Sequence, residues 1–525
     1  MTSIFKKEDR QCKENYRPIS LLSCIGKAFE RLVFNFIFKY CKENNILTPK
    51  NSGFKPLDSA VNQLIGLVKK IYDGLDNSKE IMMIFLDISK AFDKVWHKGL
   101  LFKLQTYGVT GQLLKWLKSY LTGRRQCVVL EGHQSAWRDV NSGVPQGSIL
   151  GPLLFLFFIN DIVKDIETDI SLFADDTSLL ETVSNPDLSS MNIQRDLVRI
   201  EHWAAKWKVS FNATKTKLLI ISRKKNPFIY PALFLNDTAI QKVTEHTHLG
   251  LILHCQMNWQ SHITAVCTKA NKRLSLLKRA SILFNLSRKD LEVLYFSMVR
   301  SVLEYGDIVF MNCTEGQKDE LEQIQHEAAI LISRAYRRTH YEDILEELGW
   351  IRLKRRRQIH ALLLFHKMFY NIAPSYLSDL ILPLKNRPCR YPRREQYMNH
   401  LLPPLARGEA AKNFFLPMGT RMWNNLNKEI RDITSFIGFK FKLKKLFLPE
   451  KNRLYTLAAS RGAIHQARMR MGLSGLNFQR FQYDLIDYQF CHSCGANRED
   501  TYHFFFDCPS YAAQEIHSSI KWKIC

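Results

Sequence analysis

Apolar positions along the first part of the chain follow more than one period. Leu22, Ile25, Phe29, Leu32, Val33 and Phe36 recur at intervals dominated by three and four, which predicts a helix over residues 20–46. A second helical pattern runs over 60–71. The period is then lost: Ile81-Met-Met-Ile-Phe-Leu86 is continuously apolar, follows the polar stretch 73–78 and ends at Asp87. A run this short after a loop predicts a buried strand. Residues 100–121 read as one helix stopped by Thr122-Gly123, and 126–130 with 137–140 as a hairpin around Glu131-Gly132-His133. Residues 170–174 read as a strand, Asp175-Asp176 as a turn and 177–180 as the return strand. A helix over 188–207 precedes a strand over 218–222, and from Trp259 to Tyr370 the pattern is almost wholly helical. Residues 371–450, with Pro374, Pro383, Pro388, Pro392, Pro403 and Pro404, carry weaker signals for packed helices.

Length and composition narrow the class. The 525 residues, 46% hydrophobic and 24% charged, suit several globular domains and exclude global disorder, collagen and a disulfide scaffold. The longest apolar stretch, 153–159, falls far short of the roughly 20 residues of a membrane-spanning helix. The N-terminus is charged within six residues and has no signal-peptide core, so no membrane is expected. Most of the 12 cysteines are isolated, which reads as reduced thiols in an intracellular protein.

Charge points to a partner. The chain holds 75 Lys+Arg against 50 Asp+Glu, a net +25 expected to meet a polyanion. Residues 351–450 alone carry 20 basic against 6 acidic residues. Lys354-Arg-Arg-Arg357 follows Trp350, and Arg387, Arg390, Arg393 and Arg394 interleave with Tyr391 and Tyr397. Arginine beside aromatic rings suits phosphate contact with base stacking. A nuclear-import signal produces a similar run.

Within the nearly balanced first half, acids sit at strand ends. Asp87 follows one apolar run directly, and Asp175-Asp176 follow another 88 residues later. Two strands that each deliver a carboxylate suggest one site. Nucleotidyl transfer uses such a site, with two divalent metals about 4 Å apart on shared carboxylates. Asp175-Asp176 taken alone also reads as an ordinary hairpin turn.

The surrounding blocks resemble the reverse transcriptases of non-LTR (LINE-type, jockey-like) retrotransposons. Asn15-Tyr-Arg-Pro-Ile-Ser-Leu-Leu-Ser23 is similar to the first fingers block, and Phe85-Leu-Asp-Ile-Ser-Lys-Ala-Phe-Asp-Lys-Val-Trp-His97 to motif A. Ser142-Gly-Val-Pro-Gln-Gly-Ser-Ile-Leu-Gly-Pro152, followed by Asn160-Asp161, is similar to motif B, and Phe173-Ala-Asp-Asp176 to motif C. Trp203 and Trp207 with Phe211-Asn-Ala-Thr-Lys-Thr-Lys217 are similar to motif D. His248-Leu-Gly250, Trp259 and His262 resemble the primer-grip region. The likeness spans roughly residues 1–370.

The resemblance implies an α+β right-hand polymerase with fingers, an antiparallel-sheet palm and a helical thumb. Fingers and palm would occupy 1–260, the thumb 261–370 and a basic connector 371–484. It implies an RNA-directed DNA polymerase that adds dNTPs to a primer 3′-OH using two Mg²⁺ ions, with Mn²⁺ as the alternative. Asp87, the Ile88 carbonyl and Asp175 would be metal ligands, Asp176 the neighbouring acid and Lys215 the general acid for pyrophosphate, with Lys217 close by on the same strand face. Phe92 would be the steric gate against ribonucleotides, with Gly143, Gln146 and Gly147 lining the nucleotide site. Arg17 and Lys55 would meet the triphosphate, although the family often has Arg at the position of Lys55, and Phe173 stands where Tyr is commoner. Implied partners are an RNA template, a DNA primer or nicked target DNA, and dNTPs.

The chain begins about fourteen residues before the first block. It therefore reads as N-terminally truncated, with an endonuclease to be supplied elsewhere. The competing reading is a catalytically silent, nucleic-acid-binding remnant of the same element. The nucleus is the expected place of integration and the cytoplasm that of RNA binding. At the far end, Cys491-x2-Cys494-x8-His503-x4-Cys508 presents three thiols and an imidazole, a candidate structural Zn²⁺ site. It makes residues 485–525 a small zinc-knuckle-like end. Isolated thiols with a core histidine are the alternative.

Overall fold

In the computed structural model, described residues are 1–447 apart from 6–8, 10, 13, 14, 131, 337, 338 and 384–399, and then 489–498, 503, 508 and 509. Two short strands, β1 (Thr2–Phe5) and β2 (Tyr16–Ile19), pair antiparallel and lead into α1 (Cys24–Glu43) and α2 (Ala60–Asp76). The strand β3 (Glu80–Leu86) is buried along its whole length. Alternation explains its unbroken apolar run. Ile81, Met83 and Phe85 enter one core with Leu64, Val68 and Ile71 of α2, while Met82, Ile84 and Leu86 enter a second core on the other face. A strand covered on both faces favours apolar residues throughout, and Glu80, buried at its start, is satisfied by Ser222 and Tyr230. Each such side chain contributes about 1.5–3 kcal/mol.

After β3 come α3 (His97–Thr106) and α4 (Gly111–Leu121). The single helix expected over 100–121 is two, because the chain turns at Gly108, where φ is +86°. A Cβ at Gly108 would lie 2.2 Å from the Tyr40 hydroxyl, which donates to the Tyr107 carbonyl at 3.2 Å. Packing against α1, not periodicity, sets this break. The following hairpin nests β4 (Arg125–Gln126) with β7 (Arg138–Asp139) around β5 (Val129–Leu130) and β6 (His133–Gln134).

The helix α5 (Leu150–Ile159) is buried along nearly its whole length, which accounts for the longest apolar run. Then β8 (Asp169–Phe173) and β9 (Asp176–Val183) form a tight hairpin, followed by α6 (Pro186–Trp207), β10 (Lys217–Ile221), the small pair β11 (Phe234–Leu235) and β12 (Thr238–Ala239), and β13 (Gln241–Val243). The main sheet runs β13-β10-β3-β9-β8, antiparallel except for β10 with β13. Inside the second core, Lys103 of α3 bonds the Phe158 carbonyl and Asp161 and lies 3.8 Å from the Trp207 ring centre. Its charge is thus paired rather than stranded.

The helical part comprises α7 (Gln260–Leu283), α8 (Arg288–Leu294), α9 (Ser301–Leu303), α10 (Glu315–Ser333), α11 (Tyr341–Leu348) and α12 (Leu353–Phe369). Thr314 and Gln317 form a capping box that starts α10. Helices continue beyond 370: α13 (Ser375–Ser378), α14 (Glu409–Lys412), α15 (Phe415–Asn424), α16 (Lys428–Arg431) and α17 (Phe436–Phe447). Phe415, Trp423 and Phe439 join the same core as Phe365 and Met368 of α12. The proline-rich stretch therefore supports packed helices over 409–447. Among the described residues, no helix is long and apolar enough to cross a membrane, and no disulfide occurs.

Candidate active site

Sheet register brings the acids together. Leu86 of β3 pairs with Thr177 of β9, so Asp87 and Asp176, one step further on each strand, end side by side. Asp176 in turn pairs with Phe173. The turn is therefore Ala174-Asp175, one residue earlier than expected, and Asp176 opens the return strand. Chain reversal is made at Ala174, which holds φ at +58°.

Partial burial, and then the charges of Asp175 and Asp87, push the Asp176 carboxyl up to about 6. Three acids gathered at one strand end suit divalent cations, which neutralise carboxylates through oxygen ligands. The Ile88 carbonyl fits the same site. Ser89 N donates to Ser210 O and Asn212 N to Asp87 O, flanking the antiparallel bridge between Ile88 and Phe211. In such a pair the polar groups of Ile88 point away from Phe211, towards the β9 side of the sheet.

Lys215 is exposed, in a turn held by Asn212, whose own N–H bonds the Asp87 carbonyl. Lys217 is engaged elsewhere, donating to Thr214 O at 2.8 Å and Gln241 Oε1 at 2.6 Å. Of the two lysines, Lys215 is the exposed one, three residues past Asn212, which bonds the Asp87 carbonyl.

A cleft of about 530 Å³ opens between β2 and the residues after it, the hairpin 125–139 and the loop 142–147. Gln146 lines it, with Nε2 donating to Asp93 Oδ1 at 3.0 Å. Its carbonyl accepts from Ser20 N at 2.7 Å. Gly147, with φ +111°, lets this loop approach Ser20, whose carbonyl would lie 2.7 Å from a Cβ. Gly143, with φ +90°, passes over Asp93, where a Cβ would meet the Asp93 carbonyl at 2.8 Å. Phe92 stacks on Phe155 at 4.7 Å and meets Phe54 edge-on at 5.8 Å.

Arg17 and Lys55, expected at the triphosphate, stand differently. Arg17 is exposed, and strand alternation puts it on the face opposite Pro18, which lines the cleft. Lys90, Arg124 and Arg125 supply the cations of the cleft, beside Trp137. Their signal in the sequence is weak, because Lys90 comes from a segment distant from Arg124 and Arg125. Lys55 donates to the Thr48 carbonyl at 2.5 Å, and burial lowers its pKa. It braces its own loop. Glu30, buried on α1, accepts from Tyr120, Ser148 and Ile149 N, so it ties α1 to the start of α5.

Three cations of the run Lys354–Arg357 are engaged within the protein. Lys354 pairs with Glu315 and Arg356 with Glu304, and Arg357 is buried over the Phe310 ring. These cations hold α12 against its neighbours. Arg387, Arg390, Tyr391, Arg393, Arg394 and Tyr397 lie outside the described residues.

Cys491, Cys494, His503 and Cys508 bring one ligand atom each within 4.8 Å of all the others. Cys491 and Cys508 sulfurs stand 3.9 Å apart, and Cys494 Sγ lies 3.2 Å from His503 Nε2. A zinc tetrahedron with bonds of about 2.3 Å has sulfur–sulfur edges of about 3.8 Å, so this donor set fits Zn²⁺. Burial pushes the Cys491 thiol up to about 11. Zinc would reverse that by binding the thiolate.

Residues 4–253 match the family model described as reverse transcriptase (RNA-dependent DNA polymerase). A probable RNA-directed DNA polymerase from transposon X-element of Drosophila melanogaster is 29% identical over 61% of this chain and 36% of its own length. The RNA-directed DNA polymerase from mobile element jockey of the same species is 32% identical over 48% of this chain and 28% of its own. The chain thus spans about a third of the length of these curated relatives. A telomerase structure from Candida albicans, in complex with a fragment of telomeric RNA, aligns over 63% of this chain and 58% of that one, with TM-score 0.33 and 12% identity.

Proposed function

We propose that the protein, whose residues 4–253 match the reverse transcriptase family model, is an RNA-directed DNA polymerase of the non-LTR transposon kind that extends a primer 3′-OH with dNTPs. The observation that carries this reading is the convergence of Asp87, Asp175 and Asp176 at one sheet end. Two Mg²⁺ ions, or Mn²⁺, would supply activation of the 3′ oxygen and charge neutralisation on the leaving pyrophosphate. The chain's own residues do the rest. Asp87, Asp175 and the Ile88 carbonyl would hold the ions, and Asp176 adds negative charge beside them. Gln146, oriented by Asp93, contacts the incoming nucleotide. Lys90, Arg124 and Arg125 neutralise its phosphates, and Phe92 occupies the space a 2′-OH requires. Lys215 delivers a proton to pyrophosphate.

Fingers and palm take residues 1–260 and the thumb 261–370, ahead of the basic segment and a Zn²⁺-binding end. RNA template and primer or nicked target DNA are the partners, with integration in the nucleus. Primer extension on poly(rA)/oligo(dT) with Mg²⁺ tests the reading, with Asp175→Ala as control. Template-dependent dTMP incorporation by the wild type alone is expected. Incorporation no higher than the control favours a silent nucleic-acid-binding remnant.

A further inference from the structure

The sheet edge beside the acidic turn is not bare. Residues 50–52 run parallel to β8: Leu172 N donates to the Lys50 carbonyl at 2.9 Å, and Ser52 N donates to the Leu172 carbonyl at 2.9 Å. Between them, Asn51 is buried, with 3% of its surface exposed. Its Oδ1 accepts from Gly53 N at 2.9 Å and from Ala174 N at 3.3 Å. Gly53 presses on the same turn, since a Cβ there would lie 2.3 Å from Ala174 N. The segment is anchored upstream as well: Asn160 Oδ1 accepts from Thr48 N at 2.7 Å, and Asn160 Nδ2 donates to the Ile46 carbonyl at 2.8 Å.

What this segment holds is an unfavourable conformation. Ala174 sits at φ +58°, a region that costs a non-glycine residue about 1 kcal/mol or more and persists only when its surroundings enforce it. Asp175 is the next residue. Resting on the polymerase reading above, we infer that Asn51 is a positioning residue: its carboxamide, with Gly53 beneath, locks the Ala174-Asp175 turn so that Asp175 stands beside Asp87. The fingers segment and the acidic turn are then one unit, and the accuracy of the acid site depends on a neutral amide that touches no substrate.

The test separates an acceptor from mere volume. Asn51→Leu keeps the size and removes the acceptor, whereas Asn51→Ser keeps a neutral acceptor and adds no fourth carboxylate beside the acids. Amide hydrogen exchange of the peptide holding Ala174, which needs no activity, should rise about tenfold in Asn51→Leu and much less in Asn51→Ser. Primer extension should fall about tenfold in Asn51→Leu and recover part of that in Asn51→Ser. Coupling gives a second arm. Glycine adopts positive φ freely, so in an Ala174→Gly background Asn51→Leu should cost at least about threefold less than in wild type. Equal exchange in the Leu and Ser variants, or strictly multiplicative losses with Ala174→Gly, would overturn the inference. If Asn51→Leu does not fold, Asn51→Ala against Asn51→Ser makes the same comparison. A wild-type chain that extends no primer defeats the polymerase reading, while the exchange result still decides the role of Asn51.

Discussion

The Asp93 carboxylate accepts a hydrogen bond from Gln146 Nε2 at 3.0 Å, and the Asp93 carbonyl accepts another from Ser142 Oγ at 3.0 Å. One residue, six past Asp87, therefore shapes both ends of the loop that lines the cleft. Loss of this charge-assisted bond should free Gln146 to rotate and cost about 1.5 kcal/mol in nucleotide binding. Asp93→Ala is expected to raise KM for dNTP about tenfold while kcat changes less. Steady-state primer extension at varied dTTP measures the split. An unchanged KM would remove Gln146, in this orientation, from nucleotide binding.

Phe92 lies between two other rings, Phe155 stacked against it and Phe54 at its edge. Such packing fixes the ring that would exclude a ribose 2′-OH. Phe92→Val should let ribonucleotides in, narrowing the preference for dTTP over UTP by about tenfold or more, and should cost about 1–2 kcal/mol of stability. Phe54→Ala leaves the gate residue in place but unbraced, so an intermediate loss of selectivity is expected. If neither variant changes the ratio of kcat/KM values for the two nucleotides, sugar discrimination lies elsewhere.

The Cys491, Cys494, His503 and Cys508 cluster leads to a stoichiometric expectation. Purified intact chain should hold about one Zn²⁺, and Cys508→Ser, which removes a buried thiol ligand, should release most of it. Cys24→Ser, at an exposed cysteine of α1, is the control and should leave zinc content unchanged. Metal analysis after desalting reads the result, and equal zinc in both variants would count against the site.

How far the sequence disclosed these features depends on the range of the forces involved. The strand β3 and Asp87 were legible because burial on both faces favours an unbroken apolar run, here Ile81–Leu86, a local signal. The two-strand placement of the acids was legible for the same reason. The break at Gly108 was not, because apolar spacing continues through it while Tyr40, 68 positions earlier, decides the turn. Lys354–Arg357 looked like a free basic run because its carboxylate partners, Glu315 and Glu304, come from distant elements. Arg17 looked like a triphosphate ligand because only pairing with β1 reveals which face it occupies. Asn51 carried no periodic signal at all.

Asp176 gives the sharpest dependence on pH. Its carboxyl titrates at about 6 in the folded chain, pushed up by partial burial and by Asp175 and Asp87. An unfolded aspartate titrates near about 3.9. The folded state therefore binds more protons between those values, and stability falls as pH rises through that window, with the full penalty above about pH 6. The side chain keeps solvent contact, so the penalty is about 1 kcal/mol and not the full value of a buried group. Without divalent ions at pH 8, Asp176→Asn should consequently raise the melting midpoint by about 2 °C, and at pH 4.5 the gain should shrink. Saturating Mg²⁺ should favour the wild type instead, because binding to the intact acid site adds stability that the variant lacks. Differential scanning fluorimetry across pH, with EDTA or Mg²⁺, reads all of these. A lower midpoint for Asp176→Asn at pH 8 in EDTA would show that the three acids do not repel one another in the folded chain.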